Sequence, residues 1–125
     1  MSPEAFLALA LSLPQTALGR HQAGPDLRVG GKIFASPADR PGGTAVIKLT
    51  LEQREMLCAA EPDVFRPVEG MGASRGWTRV VVANADEPTA RSALWMAWRN
   101  VAPPKVARQV DGDEDRTAAA ALRPS

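Results

Sequence analysis

Between Gly70 and Leu94 the chain reads G-M-G-A-S-R-G-W-T-R-V-V-V-A-N-A-D-E-P-T-A-R-S-A-L, a Gly-rich loop that runs into a β-branched strand and then into a helix with its own start signal. Strand alternation over Trp77 to Val82 places Thr78, Val80 and Val82 on one face and Trp77, Arg79 and Val81 on the other. Asp86 can cap the helix that follows, with Glu87 and Pro88 in its first turn. Its apolar positions Ala90, Ala93, Leu94, Ala97, Trp98 and Val101 recur at i, i+3, i+4, i+7, i+8 and i+11, the full helical template. A helix with one apolar stripe beside a strand with one apolar face needs a two-layer arrangement, helices on a sheet.

The rest of the chain supplies matching elements. Ser2, Pro3 and Glu4 form a helix start, and the helix is expected from about Pro3 to Leu11 or Ser12, burying Phe6, Leu7, Ala10 and Leu11 before Pro14 ends it. A loop containing His21 and a turn at Gly24 and Pro25 follow. Asp26 to Val29 and Lys32 to Ser36 read as strands flanking Gly30 and Gly31, a pair suited to the positive φ of a tight hairpin. Alternation along each strand puts Leu27, Val29, Ile33 and Ala35 on one face and Arg28, Lys32 and Phe34 on the other. Residues 37 to 43 are a polar turn, and Thr44 to Leu49 is a strand with Ala45, Ile47 and Leu49 inward and Val46 and Lys48 outward. Thr50 and Gln53 match a capping box for a helix reaching about Ala60, which Pro62 stops. Residues 62 to 72 are irregular, with room for a short edge strand near Val68.

The expected fold is therefore α+β and two-layer, with helices on one face of an antiparallel sheet. Its order is α-β-β-β-α-β-α, with an optional extra strand before Trp77, and the other sheet face stays open. Pro103 and Pro104 close the last helix. At 125 residues the chain has room for one core, and the expected division is a single domain over 1–108 and a mobile acidic and Ala-rich tail over 109–125. That division matters for charge. The net +1 of the whole chain separates into a body with 13 basic and 10 acidic residues and a tail with Asp111, Asp113, Glu114 and Asp115 against Arg116 and Arg123. A net of +3 is compatible with a polyanionic partner without demanding one.

With one cysteine, Cys58, there is no intrachain disulfide and no CxxC metal site, which fits a cytoplasmic location. Ala5 to Leu13 is apolar but too short to span a bilayer, and Glu4 stands where a signal peptide would carry a basic residue. No membrane association is expected, and the chain is expected to be monomeric.

P-D-L-R-V-G-G-K-I-F-A (25 to 35), V-I-K-L-T-L-E-Q (46 to 53), R-G-W-T-R-V-V-V (75 to 82) and V-A-P-P-K (101 to 105) together resemble the MmcQ/YjbR family, in order and over nearly the whole chain up to Arg108. One departure is the segment after His21, which reads Q-A-G-P without the aromatic residue often found there. The resemblance implies a CyaY-like α+β fold and a proposed DNA-binding role. A CyaY-like fold also raises iron, but the first helix offers only Glu4 where an acidic ridge would be required, so neither metal nor cofactor is expected.

The candidate binding set is Arg28, Lys32, Phe34, Lys48, Trp77 and Arg79 on the open sheet face, with Arg75 in the loop beside it. Cations can neutralise phosphates, and aromatic rings can stack on bases. The alternatives are an ordinary solvated face, or a protein-interaction or small-ligand module whose pocket lies near Trp77. Arg91, Trp95 and Arg99 share a second helical face and suit a cation–π ladder. An enzyme is not expected. His21 is the only histidine, Cys58 reads as a small buried residue inside a helix rather than a nucleophile, and the loop from Gly70 to Gly76 matches a phosphate-binding loop only loosely because it leads into a strand.

Overall fold

The computed structural model describes residues 1–21, 24–38, 43–70 and 75–110. Six strands form one antiparallel sheet, β1 (Thr16–His21), β2 (Gly24–Val29), β3 (Lys32–Ser36), β4 (Thr44–Lys48), β5 (Phe65–Pro67) and β6 (Trp77–Val81), in the spatial order β1-β2-β3-β4-β6-β5. Helices α1 (Pro3–Leu11), α2 (Leu51–Ala60) and α3 (Glu87–Val101) complete an α+β fold, and a further helical segment, α4, covers residues 104–110.

The start signals act as their chemistry requires. The Ser2 hydroxyl accepts from the Ala5 N–H, Thr50 and Gln53 close a reciprocal capping box, and Asp86 accepts from the Thr89 N–H at 2.9 Å. On α3 the residues Ala90, Ala93, Leu94, Ala97 and Trp98 are buried, and the helix lies across β3 and β4. Trp98 reaches through the core to donate its indole N–H to the Pro14 carbonyl at 3.0 Å. Gly30 and Gly31 have φ of 61° and 78°, which suits the two-residue hairpin between β2 and β3. At Gly76, φ is 83° and an added Cβ would lie 1.9 Å from the Leu49 carbonyl oxygen. Only glycine lets the chain turn into β6 there.

Several expectations are corrected. The stretch before Gly24 is a strand, β1, paired residue for residue with β2 from Thr16 opposite Val29 to His21 opposite Gly24. The optional strand before Trp77 exists as β5, at Phe65–Pro67, just before Val68. On α1 the buried residues are Phe6, Leu9 and Ala10, while Leu11 is exposed. Cys58 is only half-buried, and burial raises its thiol pKa. Beyond α3, Val110 of α4 is buried against the core, inside the stretch assigned by composition to the tail. The turn over 39–42, most of the Gly-rich loop (71–74) and residues 111–125 lie outside the described residues.

The β3 alternation is overturned. Val29 pairs with Lys32 and Arg28 with Ile33 across the hairpin, so Lys32 and Val29 share the helix-covered side, and Ile33 joins Arg28 on the open face. The register then shifts: Leu27 faces Ala35, which leaves Phe34 as an extra residue in a β-bulge, and Phe34 and Ala35 are both fully buried. Phe34 is thus a core residue and Lys32 an exposed residue at a strand end. Neither belongs to the open face.

Candidate functional site

The open face is built by cross-strand partners, which point the same way. Thr44, Val46 and Lys48 on β4 oppose Val81, Arg79 and Trp77 on β6, as the alternation requires. Their neighbours Ala45, Ile47, Thr78 and Val80 point into the core. Arg66 on β5 lies directly opposite Arg79. Both guanidinium groups are exposed, and neither has an ion-pair partner among the described residues.

Lys48 sits beside Trp77, its ammonium 5.2 Å from the ring centroid, and it donates to the Arg75 carbonyl. Partial burial, then the nearby Arg75 charge, lower the Lys48 pKa. The structure therefore brings Lys48, Arg75, Trp77 and Arg79 together, with Arg66 as a cation the sequence analysis did not single out. A signal for Arg66 existed in F-R-P, a short run next to a predicted edge strand.

At the other end of the face lies a second arrangement that sequence reasoning missed. Asp26 has no solvent exposure, and its carboxylate is held between Arg28, with Nε at 2.7 Å from Oδ1 and Nη2 at 3.0 Å from Oδ2, and His21, with Nδ1 at 2.8 Å from Oδ2. The Arg28 hydrogen bonds dominate over desolvation and, with the His21 contact, hold the Asp26 pKa below its ordinary value. An ionised carboxylate only accepts, so the His21 Nδ1 carries the proton and donates. Arg28, expected as a free cation of the face, is instead largely committed to Asp26. Gly19 on β1 makes room for the trio: an added Cβ would lie 2.6 Å from Asp26 Oδ1 and 2.7 Å from Arg28 Nε.

Between the two arrangements the sheet face carries a concavity of about 400 Å³. It is lined by His21 and Pro25 from β1 and β2, by Ile33, Ser36 and Pro37 from β3 and the residue after it, by Thr44 and Val46 from β4, and by Trp77 from β6. Trp77 is half-buried, so its ring is available to the concavity. On the helix side, Arg99 lies 5.6 Å from the Trp95 ring, but Arg91 pairs with Glu87, so the expected cation–π ladder has one rung. Among the described residues no group of His, Cys, Asp and Glu could hold a metal ion, and no helix is long and apolar enough to cross a membrane.

Fold and site together define a two-layer α+β domain whose uncovered sheet face is cationic at one edge and hollowed at its centre. The sequence model of the YjbR family matches residues 11–100, and the chain belongs to that family. Neither a comparison with curated proteins nor one with solved structures yields a match.

Proposed function

We propose that the open sheet face binds DNA, chiefly through its phosphates. The observation that carries this reading is the Arg66–Arg79 pair. Like charges directly opposite one another on a sheet destabilise it, and a bound phosphate between them reverses the sign of that interaction. The open face supports the reading as a group: it carries Arg28, Lys48, Arg66 and Arg79 against one carboxylate, Asp26, which is already paired with Arg28. Family membership is consistent with the reading and does not by itself assign a ligand. The site is read as a binding surface, and no reaction is assigned to it.

A second reading, a small-ligand site, rests on the concavity beside Trp77, which is of the size that takes small molecules. It differs from the first in having little dependence on salt.

The test is fluorescence anisotropy with labelled DNA at two salt concentrations, using the intact protein and the double variant Arg66→Ala/Arg79→Ala. Binding should weaken steeply with salt, and the double variant should lower the slope of log affinity against log salt by about 2. The same variant, without DNA, should be as stable as the parent or more stable by roughly 0.2–1 kcal/mol, since it removes a like-charge pair. No binding at roughly tens of micromolar protein in low salt would reject the reading.

A further inference from the structure

We propose that the central concavity receives an unpaired nucleobase, so that the protein prefers single-stranded DNA to duplex; this deepens the nucleic-acid reading and rests on it. Four features of the concavity argue for a base in particular. Its volume, about 400 Å³, is at the small end of ligand clefts and suits one planar ring system with part of its sugar. Its surface joins the aromatic ring of Trp77 to the aliphatic side chains of Ile33 and Val46, which matches the apolar faces of a base. Its polar groups are of the kind a base edge can meet. His21 lines it with its ring held through Nδ1 by Asp26, and the hydroxyls of Ser36 and Thr44, which can donate and accept, have no hydrogen-bond partner among the described residues. Every base offers at least one N–H to such an acceptor, so the site is expected to tolerate sequence.

The fourth feature is the relation of the concavity to the cations. Lys48 lies on the strand that also supplies Thr44 and Val46, and Arg79 is the direct cross-strand partner of Val46. A strand laid along β4 and β6 would keep its phosphates near these cations while one base turns into the hollow. A base stacked inside a duplex cannot enter it without unpairing.

Asp26 is a positioning residue in this scheme. Its carboxylate fixes the His21 tautomer and ring direction, and Arg28 holds the carboxylate ionised. The trio therefore holds the His21 ring at the edge of the concavity and needs no help from the ligand to do so.

Phosphate binding alone favours the duplex, which has the higher charge density, so a single-strand preference is diagnostic. The experiment compares three probes at one salt concentration: a single strand about 15 nucleotides long, its duplex, and the same strand with abasic sites. The unmodified protein should bind the intact strand roughly ten-fold or more tightly than either of the others. Val46→Phe, which fills the hollow and removes no charge, should lower single-strand affinity to about that of the abasic strand measured on the unmodified protein. Equal affinity for intact and abasic strands, or a duplex bound as well as the single strand, overturns the base pocket and leaves phosphate binding intact. Failure of all three probes to bind overturns both. Because the abasic comparison uses the unmodified protein, it decides the matter even if Val46→Phe does not fold.

Discussion

Asp26 shows how much a single carboxylate can organise. It is excluded from solvent, yet the groups that exclude it are themselves partly exposed, Arg28 at 35% and His21 at 38% of their side-chain surface. Water is one side chain away, so the pairing is worth less than a deep ion pair would be. Asp26→Asn should cost about 1–2 kcal/mol at neutral pH, measured by urea denaturation. The pH dependence has a definite sign. The folded pKa is depressed below the ordinary 3.8, so the native state binds this proton less tightly than the unfolded chain. The stabilisation is complete above about pH 5 and is lost as pH falls through 3.8 toward the folded value. Wild type and Asp26→Asn should therefore converge in stability in strong acid; a gap that stays constant down to about pH 2 would show that the carboxylate's charge is not what stabilises. Asp86, also depressed by its cap to Thr89, leaves both proteins with some acid sensitivity, so the difference between them is the quantity to measure. Part of this was legible: D-L-R on a strand places Asp26 and Arg28 on one face. His21 was not, because T-A-L-G-R-H contains a glycine and no alternation, and only its pairing with β2 makes it a strand.

At the scale of elements, the same distinction between local and non-local signals decides what could be read. Caps, the α3 stripe and the faces of β4 and β6 are local patterns, and the structure agrees with all of them. On α1, A-F-L-A-L-A-L is apolar on every side, so neighbours decide that Leu9 is buried and Leu11 exposed. The faces of β3 depend on register. A two-residue turn makes Val29 and Lys32 face the same way, so Ile33 and Phe34 follow from the hairpin, whereas the bulge that also buries Ala35 has no sequence signal. This reassignment has a measurable consequence. Phe34→Ala should cost about 3–5 kcal/mol, as for a buried aromatic, while Trp77→Ala, on the half-open face, should cost only about 1 kcal/mol. Similar small losses for both, by urea denaturation, would put Phe34 back on the surface.

Across the whole molecule, charge is distributed by layer. On the helices and their flanks Glu4, Glu52, Glu55, Glu61, Asp63, Asp86 and Glu87 outnumber Arg54, Arg91, Arg99, Lys105 and Arg108, whereas the strands hold six cations against one carboxylate, Asp26. A polyanion approaching the open face thus meets attraction with its repulsion on the far side, which orients encounter more than it adds affinity. The last stretch of sequence carries the opposite charge. Residues 1–110 carry 13 basic and 10 acidic side chains, and the run Asp111, Asp113, Glu114 and Asp115, offset by Arg116 and Arg123, brings the net charge from +3 to +1. The run begins directly after Val110, whose burial ties the end of α4 to the core. A truncation meant to remove only charge must therefore cut after Val110, since a cut after Arg108 would also remove a buried contact. The shortened protein should bind DNA more tightly, several-fold at low salt, because four carboxylates no longer compete with phosphate for the cations. The gain should fade as salt rises, since screening shortens the reach of that competition to ~10 Å at 0.1 M. Anisotropy titrations of full-length and truncated protein at matched ionic strength, beside their thermal melts, separate charge from folding. Equal affinities at every salt concentration, with unchanged melting, would mean that the acidic run does not reach the open face.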